Sequence, residues 1–262
     1  MDDRQLLRYS RQIMLPDVDI AGQQRLLDAH VLIVGAGGLG SAAAIYLASA
    51  GVGRITIADD DEVELSNLQR QVLHRHRDLG RPKVDSAKDT ISALNPDVQV
   101  RGLRARLDRE QLKALVENVD LVIDGSDNFA TRFAVNAACV HARTPLVSGA
   151  AIRLEGQLSV FCPDRPGSPC YGCLYREGEE PDQTCSENGV LAPVVGVIGS
   201  LQALEAIKVL LDLGQTLCGR LLVFDALYQE WRNVRLPRDP ACPVCGAAAR
   251  ENATAAPTGA VD

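Results

Sequence analysis

Over roughly the first 150 residues, short apolar runs alternate with longer stretches whose hydrophobic positions recur at helical spacing. Val31–Val34 reads as a strand, Ser41–Ala50 as an alanine-rich helix and Arg54–Ala58 as a second strand. Pro82–Leu94 reads as a helix with a proline in its first turn, stopped before Asn95-Pro96. Val98–Arg101, Asp108–Asn118, Leu121–Ile123, Asn128–Ala142 and Pro145–Val147 follow as strand, helix, strand, helix and strand. Strands joined by crossover helices predict a Rossmann-like α/β domain on a mainly parallel sheet.

Past Ala151 the pattern changes. Gln157–Phe161 alternates as a half-buried strand, Pro163–Gly172 is rich in turn residues, and Arg176–Gly189 reads as a mobile loop. Ser200–Leu213 reads as a long amphipathic helix, and Arg220–Asp225 and Glu230–Arg235 as late strands. The sheet is therefore expected to continue into a mixed or antiparallel region. The expected organisation is one domain over 1–246, with a nucleotide-binding half (1–150) and a second half (151–246). The tail, 247–262, is expected to be disordered.

Composition narrows the class. At 262 residues and 46% hydrophobic the chain can bury a large core, and a net charge of −7 without a basic block argues against nucleic acid as a partner. The uncharged stretch from Val31 to Gly53 has the length of a membrane span, but its six glycines divide it into strand, turn and helix. No membrane partner is expected. The N-terminus has no apolar run of the kind a signal peptide needs, so a cytoplasmic location is expected.

In that compartment paired cysteines point to metal ligands before disulfides. Cys170/Cys173 and Cys242/Cys245 form two Cys-x-x-Cys pairs, the ligand set of a structural zinc site with every position filled by thiolate. A redox dithiol is the alternative. Zinc here would staple the C-terminal strands to the segment ahead of the loop.

The run Gly35-Ala36-Gly37-Gly38-Leu39-Gly40 follows a strand, precedes a helix, and has Asp59 at the end of the next strand. That is the dinucleotide fingerprint: glycines bring backbone to phosphate, and the acid binds ribose hydroxyls. Alone, its default reading is a nicotinamide or flavin enzyme. Ser66-Asn67-Leu68-Gln69-Arg70 and Lys83 tilt the reading to ATP, since Arg70 and Lys83 can neutralise a triphosphate and Asp127 can hold Mg²⁺. The histidines are expected to be surface or structural residues.

With these residues in view the chain resembles the MoeB/ThiF family, relatives of the ubiquitin-activating enzymes. The resemblance rests on Arg8-Tyr9-Ser10-Arg11-Gln12-Ile13, GAGGLG at 35–40, Asp59, SNLQRQ at 66–71, Pro82-Lys83, Asp127-Asn128, SGAAIRLEGQLSVF at 148–161, the four paired cysteines and GSLQALEAIK at 199–208. It implies an ATP-dependent adenylyltransferase. Its substrate would be the C-terminal Gly-Gly carboxylate of a ubiquitin-like sulfur carrier, converted to an acyl-adenylate for thiocarboxylate formation. The small subunit of molybdopterin synthase is favoured as carrier, with the thiamine sulfur carrier, or both, as the alternative. A separate sulfur donor, a cysteine desulfurase or a rhodanese, is expected.

The resemblance also assigns roles. Gly38 and Asp59 would hold the nucleotide with Ser66, Asn67, Leu68, Gln69 and Asn128 around it; Asn67, Arg70 and Lys83 would contact phosphates, and Asp127 would help place Mg²⁺. Arg11 would reach across a homodimer interface into the neighbouring site. Cys185 stands where relatives carry a thioester cysteine, and both a structural and a covalent role remain open for it. A catalytically silent scaffold is the remaining alternative, against which stands the joint presence of Arg11, Asp59, Arg70, Lys83 and Asp127.

Overall fold

The computed structural model describes residues 1–178 and 189–246. Its frame is one eight-stranded sheet. The strands are β1 (His30–Val34), β2 (Arg54–Ala58), β3 (Gln99–Leu103), β4 (Leu121–Asp124), β5 (Leu146–Ile152), β6 (Glu155–Phe161), β7 (Arg220–Asp225) and β8 (Glu230–Arg235). They lie in the order β3-β2-β1-β4-β5-β6-β7-β8. β1 to β5 are parallel, whereas β5, β6, β7 and β8 pair antiparallel. The sheet is thus mixed, and β5 belongs to both regions.

The helices are α1 (Asp3–Arg8), α2 (Ser10–Ile13), α3 (Asp19–Asp28), α4 (Gly38–Ala50), α5 (Lys83–Leu94), α6 (Arg109–Val116), α7 (Phe129–Ala142), α8 (Tyr171–Leu174) and α9 (Ala192–Leu211). Alternation along the buried strands divides the core. Val31 and Ile33 of β1 join the core under α3, α4, α5 and α9, while Leu32 and Val34 join the core under α6 and α7.

Local chemistry sets several helix starts. Asp108 and Asn128 cap α6 and α7 through their side chains, accepting the Gln111 and Thr131 N–H at 2.8 and 2.9 Å. Pro82 stands one place ahead of its expected position, as the N-cap of α5. Three helices precede the sheet where the hydrophobic pattern predicted none. They are pinned by Tyr9, buried, whose hydroxyl accepts from Asn95 Nδ2 at 2.9 Å, and by Gln12, whose Nε2 donates to the Ala50 carbonyl at 3.0 Å.

The long helix α9 begins well ahead of the expected Ser200. Pro193 sits in its first turn, where a missing N–H costs nothing, and Gly196 and Gly199 lie inside it. Gly199 is where α9 crosses α4: a Cβ there would come within 2.5 Å of the Leu39 carbonyl oxygen. By length and composition alone α9 could cross a membrane; here 50% of its most apolar window is buried, and it packs on α4, β5 and β6.

Candidate functional site

The strand order reverses between β1 and β4, and a cavity of about 390 Å³ opens there at the carboxyl ends of the strands. Its floor is the turn from β1 to α4. Gly35 takes φ +94°, and a Cβ on Gly40 would lie 1.9 Å from the Gly35 oxygen, so this turn closes only with glycine.

The peptide at Ala36 is held from both sides. Its N–H donates to Asp59 Oδ2 at 2.7 Å, and its carbonyl lies 3.0 Å from His74 Nε2. His74 Nδ1 is in turn 2.9 Å from the Ser86 hydroxyl, which donates to Asp78 at 3.0 Å. Burial holds His74 below its ordinary pKa, and both ring nitrogens lie within hydrogen-bond distance of a partner. As expected, His74 is structural.

Asp59 is the centre of the polar floor. Its second oxygen accepts the Asp61 N–H at 2.9 Å. Lys83, itself buried, places Nζ 3.9 Å from Asp59 and 2.6 Å from Asp61. Burial raises the Asp59 pKa, while Lys83 and the two N–H groups oppose the rise.

Of the residues singled out from sequence, Gly38, Asp59, Arg70, Lys83, Asp127 and Asn128 line this cavity. Arg70 is steadied by donating to the Ser66 carbonyl at 3.0 Å. Ser66, Asn67, Leu68 and Gln69 do not line it; the 3₁₀ turn Leu65–Asn67 lies behind Arg70, with Asn67 buried. Arg11 is exposed on α2 and outside its own chain's cavity. Cys185 lies outside the described residues.

Several polar wall residues had been given no role, among them Arg132, Gln71 and Arg106. Arg132 lies one helical turn past Asn128 on α7, a spacing that puts both on one face, and donates to the Ser126 carbonyl at 2.8 Å. Gln71 is buried with an amide oxygen that has no protein partner, and Arg106 enters from the segment after β3. The second half of the chain adds Ala151, Val190 and Val195 to the wall, so the site draws on both halves.

The four paired cysteines also converge. Their sulfurs all lie within 4.8 Å of one another, with Cys170–Cys242 at 3.7 Å and Cys173–Cys245 at 3.5 Å. A metal–sulfur tetrahedron with bonds of about 2.3 Å has edges of about 3.8 Å, so the donor set fits zinc. Asn136 Nδ2 donates to Cys170 Sγ at 3.7 Å and the Asp239 N–H to Cys173 Sγ at 3.4 Å, bonds that orient thiolates.

The model of the ThiF family matches residues 9–244. This chain belongs to the ThiF family. Two of its relatives are the molybdopterin-synthase adenylyltransferase and the sulfur carrier protein ThiS adenylyltransferase of Escherichia coli K12. The first is 51% identical over 246 residues, covering 94% of this chain and 98% of the relative. The second is 50% identical over 246 residues, covering 94% and 97%. Among solved structures, E. coli MccB with ATP superposes with a TM-score of 0.75 at 26% identity, over 85% of this chain and 68% of that one. In this ThiF-family chain the glycine turn, Asp59, Arg70 and Lys83 lie around one cavity.

Proposed function

We infer that the protein is an ATP-dependent adenylyltransferase that activates the C-terminal Gly-Gly carboxylate of a ubiquitin-like sulfur carrier. The observation that carries this is the cavity at the switch point, where the glycine turn, Asp59, Arg70, Lys83 and Arg132 face one space in a ThiF-family chain. A carrier carboxylate oxygen attacks the α-phosphorus of ATP, the α–β bridging P–O bond breaks, and pyrophosphate leaves. Both reactants are anions, so the reaction needs charge neutralisation more than a base. Lys83 and Arg70 supply it beside the phosphates, and Asp59 takes the ribose hydroxyls.

Asp127, exposed at the cavity edge, suits a Mg²⁺ that accompanies ATP and adds to the neutralisation of its phosphates. Zn²⁺ at the four cysteines would be structural, tying the turn at Cys242–Cys245 to α8, with no open coordination position. A separate sulfur donor, a cysteine desulfurase or a rhodanese, then displaces AMP with its persulfide sulfur, and a thiol reductant cleaves the resulting acyl disulfide to leave a thiocarboxylate. The reading extends to a cytoplasmic homodimer in which Arg11 completes the partner's site; its exposed position on a pinned turn supports this. Cys185 remains a candidate for a covalent link to the carrier.

The molybdopterin-synthase small subunit is the carrier we favour. Identities of 51% and 50% to enzymes named for the two carriers keep the thiamine carrier as a second reading. Intact-mass measurement of each carrier after incubation with the protein and MgATP tests both. Gain of an AMP unit on one carrier alone chooses the branch, and gain on both identifies a shared activator. If neither carrier is modified by zinc-replete protein, the reading fails.

A further inference from the structure

Four of the eight cysteines form the cluster and Cys185 lies outside the described residues, which leaves Cys139, Cys162 and Cys218. Cys139 is sealed in the core beneath α7. Cys162 and Cys218 are different, because the sheet brings them together. Cys162 directly follows β6, and Cys218 lies two residues ahead of β7. Val160 pairs with Cys218 in an isolated parallel bridge, and the Val160 N–H donates to the Leu217 carbonyl at 3.4 Å.

One hydroxyl serves both cysteines. Ser168 Oγ accepts the Cys162 N–H at 3.2 Å and lies 3.5 Å from Cys218 Sγ. The environments of the two cysteines are unequal. Cys162 is 1% exposed, whereas Cys218 is only partly buried. The neighbouring Cys218 and burial push the Cys162 thiol up. Cys218 is lowered to about 6, chiefly by the neighbouring Cys162, with Ser168 and the Arg165 charge assisting. A reachable thiolate beside a buried thiol is the arrangement of an attacking and a resolving cysteine. Among the described residues no third His, Cys, Asp or Glu completes a metal site with this pair.

We propose that Cys218 and Cys162 are an oxidisable dithiol, separate from the four-cysteine cluster and from the nucleotide cavity, with Cys218 the attacking sulfur and Cys162 the resolving one. The oxidant is a small hydroperoxide. Cys218 thiolate attacks the distal peroxide oxygen, the O–O bond breaks, and the leaving oxygen takes a proton to become an alcohol, or water from hydrogen peroxide. Cys218 is then a sulfenic acid. The Cys162 sulfur attacks it, the S–O bond breaks, and hydroxide leaves as water with the Cys162 proton. Two thiols are oxidised to one disulfide while the peroxide is reduced. The new bond joins the exit of β6 to the entry of β7.

The test treats folded, zinc-loaded full-length protein with a small molar excess of hydrogen peroxide, blocks remaining thiols by alkylation and maps the peptides. The expected product is a Cys162–Cys218 crosslink that dithiothreitol reverses while zinc content stays constant. In Cys162→Ser the sulfenic acid should persist on Cys218 and be trapped by dimedone; in Cys218→Ser neither crosslink nor adduct should form. Oxidation that falls first on the four-cysteine cluster, with Cys162 and Cys218 both still alkylated, would overturn the proposal. A dimedone adduct on Cys162 in the Cys218→Ser chain would overturn the assigned roles. Because the wild-type map needs no variant, a folding defect in either one leaves the main result readable.

Discussion

Asp59→Asn is the most discriminating change at the nucleotide site, since it keeps the shape and removes one acceptor and one charge. The carboxylate accepts two backbone N–H groups, from Ala36 at 2.7 Å and from Asp61 at 2.9 Å, and an amide can accept only one of them. The other N–H would then face an NH₂ group. Losing one charge-assisted bond costs about 1.5–3 kcal/mol. Lys83 at 3.9 Å adds a gross attraction of about 4 kcal/mol at an effective dielectric near 20, an upper bound before desolvation. Removing a buried charge returns part of this, as the burial-raised pKa indicates. A net loss of about 2 kcal/mol lowers Tm by about 4–8 °C for a domain of this size.

The assay is thermal unfolding with and without ATP. At an ATP concentration about 100 times Kd, the ligand adds about 2.7 kcal/mol to the wild type, a rise of about 5–11 °C. If Asp59 also binds the ribose, losing that contact weakens ATP by about 10- to 150-fold. At the same ATP concentration the rise in the variant should then shrink to about 0.6–6 °C. A variant with unchanged Tm would show that the turn does not lean on this carboxylate. A variant that keeps the full ATP-induced rise would remove Asp59 from nucleotide binding.

Arg70→Ala should abolish carrier adenylation, read as ATP–pyrophosphate exchange, with Tm within about 2 °C of wild type for a partly exposed side chain; undiminished exchange would sink its role. Mixing Arg11→Ala with Arg70→Ala chains should restore activity through one intact composite site, and failure in verified mixed dimers would refute Arg11 acting across an interface. Metal analysis should find about one zinc per chain, and chelation should lower thermal stability, because structural zinc contributes folding free energy directly; a zinc-free protein of equal stability would overturn the assignment. For His74, the folded pKa is lowered, so its contribution to stability is present above the ordinary histidine pKa and lost as pH falls through it. Urea unfolding between about pH 7 and pH 5 should show a shallower pH slope in His74→Asn than in wild type, and equal slopes would show that the buried ring does not titrate in this way.

What was legible in the sequence was what local chemistry decides. Expected and observed bounds agree for β2, β7 and β8, whose short runs are set off by glycine or turn residues. The glycine run and Asp59 marked the nucleotide turn because a backbone that must close at φ +94° and approach within 1.9 Å of a would-be Cβ admits little but glycine. The two Cys-x-x-Cys pairs announced a ligand set through spacing alone. The start of α9 was not legible, since Pro193, Gly196 and Gly199 read as loop residues until α4 is seen lying against Gly199. Arg132 and Gln71 escaped because their orientation depends on how α7 and the segment after β2 pack around the crevice. Ser66–Gln69 lie outside the residues that line the cavity. The pairing of Cys162 with Cys218 exists only because β6 and β7 are neighbours in the sheet. The sequence by itself determined the α/β class, the glycine turn and the two Cys-x-x-Cys pairs, whose requirements are each satisfied within a few consecutive residues. Only the tertiary structure decided which charges share the cavity and which thiols become neighbours, because those contacts join residues far apart along the chain.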